Sequence, residues 1–273
     1  MPGRKFRRAK WAVLCAGLGV LVLASATGAA MRVGIGKMLV SPTRVAAGST
    51  NDLTFSFTAD SSALTGTTLF DVPRGWTTPQ RTNPSAPGYV ELQAQGCVGT
   101  TITKIAGRRL VIGTHCPRRH LFQLLYHHAV APLIAADGFA FLTQTRKAGA
   151  PKKVPFAPLG PRKQPVVKVR GAAPKALFMT VTSVATAGTT FSATVRAVDQ
   201  WENNAPDYTG TVTLTSSDPA ATLPAPYAYA AKDAAQHTFT GIVLRTAGTQ
   251  TITATDANGF KITSGPIAVT AGG

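Results

Sequence analysis

Apolar and polar residues alternate with a period of two through most of this chain. Leu53, Phe55 and Phe57 interleave with Thr54, Ser56 and Thr58, the pattern of a strand with one buried face. The segments 67–72, 89–94, 121–126, 139–145 and 166–169 repeat it between clusters of Gly, Pro, Ser and Asn, as in a sandwich or barrel. Residues 121–131 invite a helical reading, but no polar helical face develops and Pro132 stops the run. Further on, Phe191, Ala193, Val195 and Ala197 are expected to face a core, with Ser192, Thr194 and Arg196 outward. Val212 with Leu214, Ile252 with Ala254, and Ile267 with Val269 continue the alternation. The expectation is an all-β protein.

The first thirty residues follow other rules. Arg4, Lys5, Arg7, Arg8 and Lys10 precede a short apolar run, residues 11–23, and then the small residues Ala24-Ser25-Ala26. That is the layout of a secretory signal peptide occupying residues 1–30, cut after Ala26 or Ala30. The alternative is a retained anchor, because residues 11–30 approach the ~20 needed to span a bilayer. Gly17, Gly19, Ser25, Thr27 and Gly28 dilute the run and favour cleavage, which leaves no transmembrane span.

Export bears on the cysteines. Cys15 leaves with the signal, so Cys97 and Cys116 remain, and an oxidising compartment pairs them. Residues 101–105 and 110–112 read as strands joined across Ala106-Gly107, a register that sets Thr103 opposite Leu110 and Cys97 opposite Cys116. Opposed strand residues lie within disulfide reach. A metal site built on His115, Cys116, His120, His127 and His128 lacks a second cysteine at ligand spacing.

The stretch AGTTFSATVRAVDQWENNAPDYTGTVTLTSSDPAATLP, residues 187–224, sets two Thr/Val/Ala strands around an Asp/Asn-rich turn and breaks at SSDP. Residues 246–256, TAGTQTITATD, continue it. Together they resemble the bacterial immunoglobulin-like repeats related to invasin and intimin, over residues 177–271. Residues 71–80, DVPRGWTTPQ, with APGYV at 86–90, resemble an immunoglobulin-like surface module more loosely, over 38–170. The resemblance implies two tandem immunoglobulin-like β-sandwich domains after the signal peptide, one at 31–145 and one at 176–273. It also implies scaffolds and binding surfaces rather than catalysts. About 97 residues from Leu177 onward suit one such sandwich.

Charge divides these parts. Residues 31–176 hold 19 basic and 5 acidic side chains, whereas residues 177–273 hold 4 and 6. The extreme is the linker-like segment 146–175, with nine Lys/Arg, six prolines and no acid. Such a composition predicts an exposed, extended, mobile segment, ordered only as a closing strand near 166–169. Its Arg146, Lys147, Lys152, Lys153, Arg162, Lys163, Lys168 and Arg170 are the candidate contacts for an anionic partner. An anionic cell-envelope polymer (phosphorylated or carboxylated), an anionic lipid or another surface protein suits an exported chain. Base-specific nucleic-acid recognition does not, because Phe156 is the only aromatic residue in the segment.

Motifs of catalysis do not appear: no phosphate-binding glycine loop, no metal-ligand helix, no nucleophile elbow. No cofactor, no metal and no enzymatic activity are expected. Asp199, Glu202, Asn203, Asn204 and Asp207 form one acidic loop, read as a self-bonded turn over a calcium site. Trp201 reads as a partly exposed aromatic residue of that loop. These features predict a non-catalytic secreted or loosely surface-associated protein of adhesion or envelope organisation. The alternative is an exported module that binds anionic envelope polysaccharide or nucleic acid through the basic segment.

Overall fold

A computed structural model describes residues 32–272, and the expected signal peptide lies outside them. The first half contains β1 (Lys37–Ser41), β2 (Arg44–Ala46), β3 (Thr50–Thr58), β4 (Leu64–Asp71), β5 (Tyr89–Gln93) and β6 (Thr101–Ala106). There follow β7 (Arg109–Cys116), β8 (Leu121–Val130), β9 (Ala136–Ala140), β10 (Leu142–Lys147), β11 (Ala157–Pro158) and β12 (Val166–Arg170). One sheet runs β1-β3-β8-β5. Two further sheets are β11-β10-β4-β7-β6 and β2-β12-β9. Alternation decides which side chains meet between them. Phe55 of β3, Phe70 of β4 and Phe141 are buried, with ring centroids 4.7 Å (Phe55–Phe141) and 4.8 Å (Phe55–Phe70) apart. Trp76 closes the same core.

Phe141 divides what the sequence suggested was one strand over 139–145. β9 pairs with β12 and β10 pairs with β4, so the broken strand serves two neighbours. The buried Phe141 sits at the switch, its N–H given to the Pro165 carbonyl at 3.0 Å.

The second sandwich repeats the plan. Its strands are β13 (Ala176–Val181), β14 (Val184–Thr186), β15 (Thr190–Val198), β16 (Thr211–Ser216), β17 (Tyr227–Ala228) and β18 (Gln236–Val243). The last four are β19 (Gly248–Gln250), β20 (Ile252–Asp256), β21 (Lys261–Thr263) and β22 (Ile267–Thr270). The sheets are β13-β15-β18, β14-β22-β19 and β17-β16-β20-β21. As in the first half, a short second strand pairs parallel with the last one, β2 with β12 and β14 with β22. Another strand is again split between two neighbours, here β19 and β20 around Thr251. Ala193, Val195, Ala197, Val212, Leu214, Ile252, Ala254, Ile267 and Val269 are all buried, with Phe239 among them. This strand order defines two immunoglobulin-like β-sandwiches.

Two expectations need correction. The β6–β7 turn is Gly107-Arg108, not Ala106-Gly107. Ala106 pairs with Arg109 and Ile105 with Leu110, and a bulge at Thr103 then shifts the register. The two arginines fix this turn. Arg109 forks onto Asp71 at 2.6 and 2.8 Å, and Arg108 donates to the carbonyls of Pro73 and Trp76. The second correction concerns 146–175, which is mostly built into the first sandwich. β10 runs through Arg146 and Lys147, β11 pairs with β10, a 3-10 turn occupies Pro161–Lys163, and β12 closes the layer. Leu159, Val167 and Val169 are buried. The prolines sit in turns and at strand margins, where a missing N–H costs little. A composition count registers the charges and prolines but not that alternation.

Candidate functional site

Strand register sorts the basic residues between the two ends of the first sandwich. At the end away from the second domain, β3 finishes at Thr58 opposite Leu121, and β4 begins at Leu64 opposite Cys116. β10 ends there at Lys147, opposite Gly66. The connecting turns interlock. Arg119 N–H donates to the Ala59 carbonyl, Ala59 N–H to the His120 carbonyl at 3.1 Å, and Ala148 N–H to the Thr65 carbonyl at 2.8 Å. This tip therefore collects Lys147, Lys152, Lys153, Arg162 and Lys163 from the predicted segment. It adds Lys37 at the start of β1 and Arg118 and Arg119 from the β7–β8 turn. All but Lys163 are exposed. Arg146 lies just below, its guanidinium 4.5 Å from the Phe156 ring centroid.

The Cys97–Cys116 disulfide braces the tip, with Cα atoms 4.2 Å apart. Cys116 ends β7 as expected. Cys97, however, lies in the β5–β6 connection and not in a ladder opposite it, because the bulge and the loop absorb the intervening residues. The bridge ties the Cys97–Thr100 turn to the turn that carries Arg118 and Arg119.

Among the described residues, one carboxylate faces these cations. Asp60 accepts from Lys163 Nζ at 2.6 Å and from the Ser61 N–H at 2.6 Å. The Lys163 bond, then the backbone bond, hold its carboxyl down to about 2. A carboxyl depressed by folding adds stability that is complete above roughly pH 5 and disappears as pH falls through the folded value. Asp60→Asn should therefore cost about 1 kcal/mol at pH 7, the scale of a partly solvated pair. The cost should vanish near pH 2. Urea midpoints at the two pH values check this, and an equal cost at both would contradict it.

Lys168 and Arg170 lie at the opposite end and do not join the tip. Lys168 approaches Asp137 at 3.9 Å, and Arg170 donates to Asp207 of the second domain at 2.9 Å. With Arg44 they border a cleft of about 560 Å³ at the junction of the sandwiches. The tentative eight-residue set is thus two groups, one at or near the tip, where Lys163 is paired with Asp60, and one engaged at the junction.

The acidic loop of the second domain builds that junction. Asp199 is buried, and its two oxygens accept four N–H groups: Trp201 and Asn203 main chain on Oδ1, Ala172 main chain and Asn203 Nδ2 on Oδ2. Asn203 reaches across, donating to the Leu133 carbonyl and accepting from the Ala135 N–H, both at 2.8 Å. Trp201 packs on the core of the first domain, where a Cβ at Gly48 would run into its indole. Sequence reasoning placed these residues in a turn but missed the contact across the junction. The signal was present as Asp and Asn at i, i+4 and i+5 around a tryptophan.

No protein-family model matches the chain, and no curated protein matches it. Among solved structures it is similar to the Yersinia pseudotuberculosis adhesin InvE, at 13% identity and TM-score 0.30, over 86% of this chain and 58% of that one. It is similar also to a putative membrane anchored protein from Corynebacterium diphtheriae, at 15% and 0.29, over 87% and 54%. A third is an ICAM-5 D1–D4 ectodomain fragment, at 13% and 0.29, over 86% and 51%. The chain spans between half and three fifths of each of these. At such scores the immunoglobulin-like description rests on the strand order above.

Proposed function

We propose that this is a non-catalytic protein of the cell surface or its surroundings, serving adhesion or envelope organisation. Its first sandwich holds an anionic component of the envelope at the basic tip. One observation carries the reading: seven exposed cations from four separate stretches of sequence converge on one end, and the one carboxylate there is already paired. Field strength from such a cluster concentrates anions at the tip. A disulfide supports an oxidising location. The non-catalytic reading is supported by five carboxylates that are committed to structural bonds. Asp71 and Asp207 pair with arginines, Asp199 and Asp218 each accept several N–H groups, and Asp256 takes the Tyr208 hydroxyl and the Phe260 N–H.

The test is salt elution of the full chain from heparin resin. Among the described residues, Arg118, Arg119, Lys152 and Lys153 have no ion-pair partner, so replacing all four with Ser should leave Tm within about 2 °C. Elution should move to markedly lower salt, with a shallower salt dependence from the lost counterion release. Serine at Arg44, Arg74, Lys104 and Lys261, four cations away from the tip, should shift it much less. Equal shifts from both variants would mean that total charge matters and the tip does not.

A further inference from the structure

We infer that the surface which the tip fits is an anionic phospholipid bilayer, an inference that rests on the tip being an anion-binding face. Placement is the first argument. The cations lie at the end of the first sandwich away from the second domain, whose link leaves β12 at the other end beside the Arg170–Asp207 pair, so the tip can meet a flat surface without the second domain in the way.

Exposure and polarity agree. Seven of the basic residues are exposed on turns and strand ends at one end of the sandwich, whereas the clefts of about 410 and 560 Å³ lie along β6 and at the domain junction. Cations gathered at one end can meet a plane of headgroups together. Val98 is 76% exposed on the Cys97–Thr100 turn, one residue from the disulfide, and Val33 is 60% exposed where the chain enters. An apolar side chain on a braced turn, flanked by cations, can enter the boundary between headgroups and acyl chains while the cations stay with phosphate. Asp60, held by Lys163, presents no free charge to repel that surface.

The experiment is co-sedimentation of the full chain with vesicles of phosphatidylglycerol and phosphatidylcholine in equal parts, against pure phosphatidylcholine, at sub-saturating lipid. The chain should partition to the anionic vesicles in a salt-sensitive way. The variant with serine at Arg118, Arg119, Lys152 and Lys153 should lose about tenfold of the preference. Val98→Ser should lose severalfold on vesicles and nothing on heparin resin, because only a bilayer offers an apolar layer. Hydrogen exchange supplies a readout independent of the N-terminal segment: anionic vesicles should slow exchange at 96–100 and 148–154. Loss of heparin binding in the quadruple variant with unchanged partition and exchange would overturn the bilayer and leave the anionic tip standing, with a polymer as its partner. No change on either support would overturn both. Val98→Ser indistinguishable from the parent on vesicles would remove the reason to prefer a bilayer.

Discussion

Replacing Asp199 with alanine should destabilise the protein by roughly 3 kcal/mol and loosen the two sandwiches from each other. The carboxylate is 2% exposed and accepts four N–H bonds of 2.9–3.0 Å. Burial alone would push its pKa up, but the bonds from Asn203, Ala172 and Trp201 outweigh that and hold it down. It is therefore charged in the folded protein and serves as the common acceptor of one loop. Truncation leaves buried donors without partners, at about 1 kcal/mol or more apiece, with some recovered by water. The effect also crosses the junction. Ala172 belongs to the link between the sandwiches, and Asn203 holds Leu133 and Ala135 of the first one. Without Asp199, Asn203 loses its brace and Trp201 its seat over Gly48. Urea unfolding should move to a lower midpoint and separate into two transitions, with the emission of Trp201 shifting red before global unfolding. Asp199→Asn keeps the shape but turns an amide toward N–H donors, so it should fall between. A single transition at the parent midpoint would show that this loop does not couple the domains.

Local features of this molecule were legible in its sequence and distant ones were not. Alternation alone placed the buried faces of β3, β15, β16, β20 and β22, because a period of two allows one core-facing set. A further local signal was available. Ala47-Gly48-Ser49-Thr50 and Ala187-Gly188-Thr189-Thr190 occupy equivalent turns, both glycines at positive φ, with Ala47 bonded to Arg170 and Ala187 to Thr270. That repeat marks the two sandwiches as copies of one plan. The disulfide was found although its register was miscounted, since proximity of Cys97 and Cys116 survives a bulge while ladder arithmetic does not. The basic segment failed as an expectation for the complementary reason. Its order depends on Asp60, 103 residues away from Lys163, and on strands β4 and β9. For the same reason Arg118 and Arg119 join Lys152 and Lys153 only once β7, β8 and β10 are aligned.

Removing the disulfide with Cys97→Ala and Cys116→Ala should cost about 3 kcal/mol and weaken anion binding at the tip. The bridge closes a loop of sequence separation 19, for which restriction of the unfolded chain accounts for roughly that much. In a protein of this size the loss corresponds to a fall in Tm of about 6–12 °C. Both cysteines are buried, so alanine adds a small void but exposes no polar group. The effect on binding follows from what the bridge joins. The Cys97–Thr100 turn carries Val98, and the turn after Cys116 carries Arg118 and Arg119. Thr100 N–H to the Cys97 carbonyl, His115 N–H to Thr100 Oγ1, His120 N–H to the Pro117 carbonyl and Arg119 N–H to the Ala59 carbonyl are among the bonds left to hold them. Two turns free to move lose ordering entropy on binding that the braced tip has already lost in folding. The double variant should therefore elute from heparin resin at lower salt, although it keeps every cation. The reduced parent protein should behave in the same way, and its reoxidation should restore the original elution. If the variant loses Tm but elutes with the parent, the bridge stabilises the fold and leaves the tip's geometry to its backbone bonds. If Tm also holds, the remaining contacts of β7 with β4 already confine this end, and the loop closed by the disulfide contributes little.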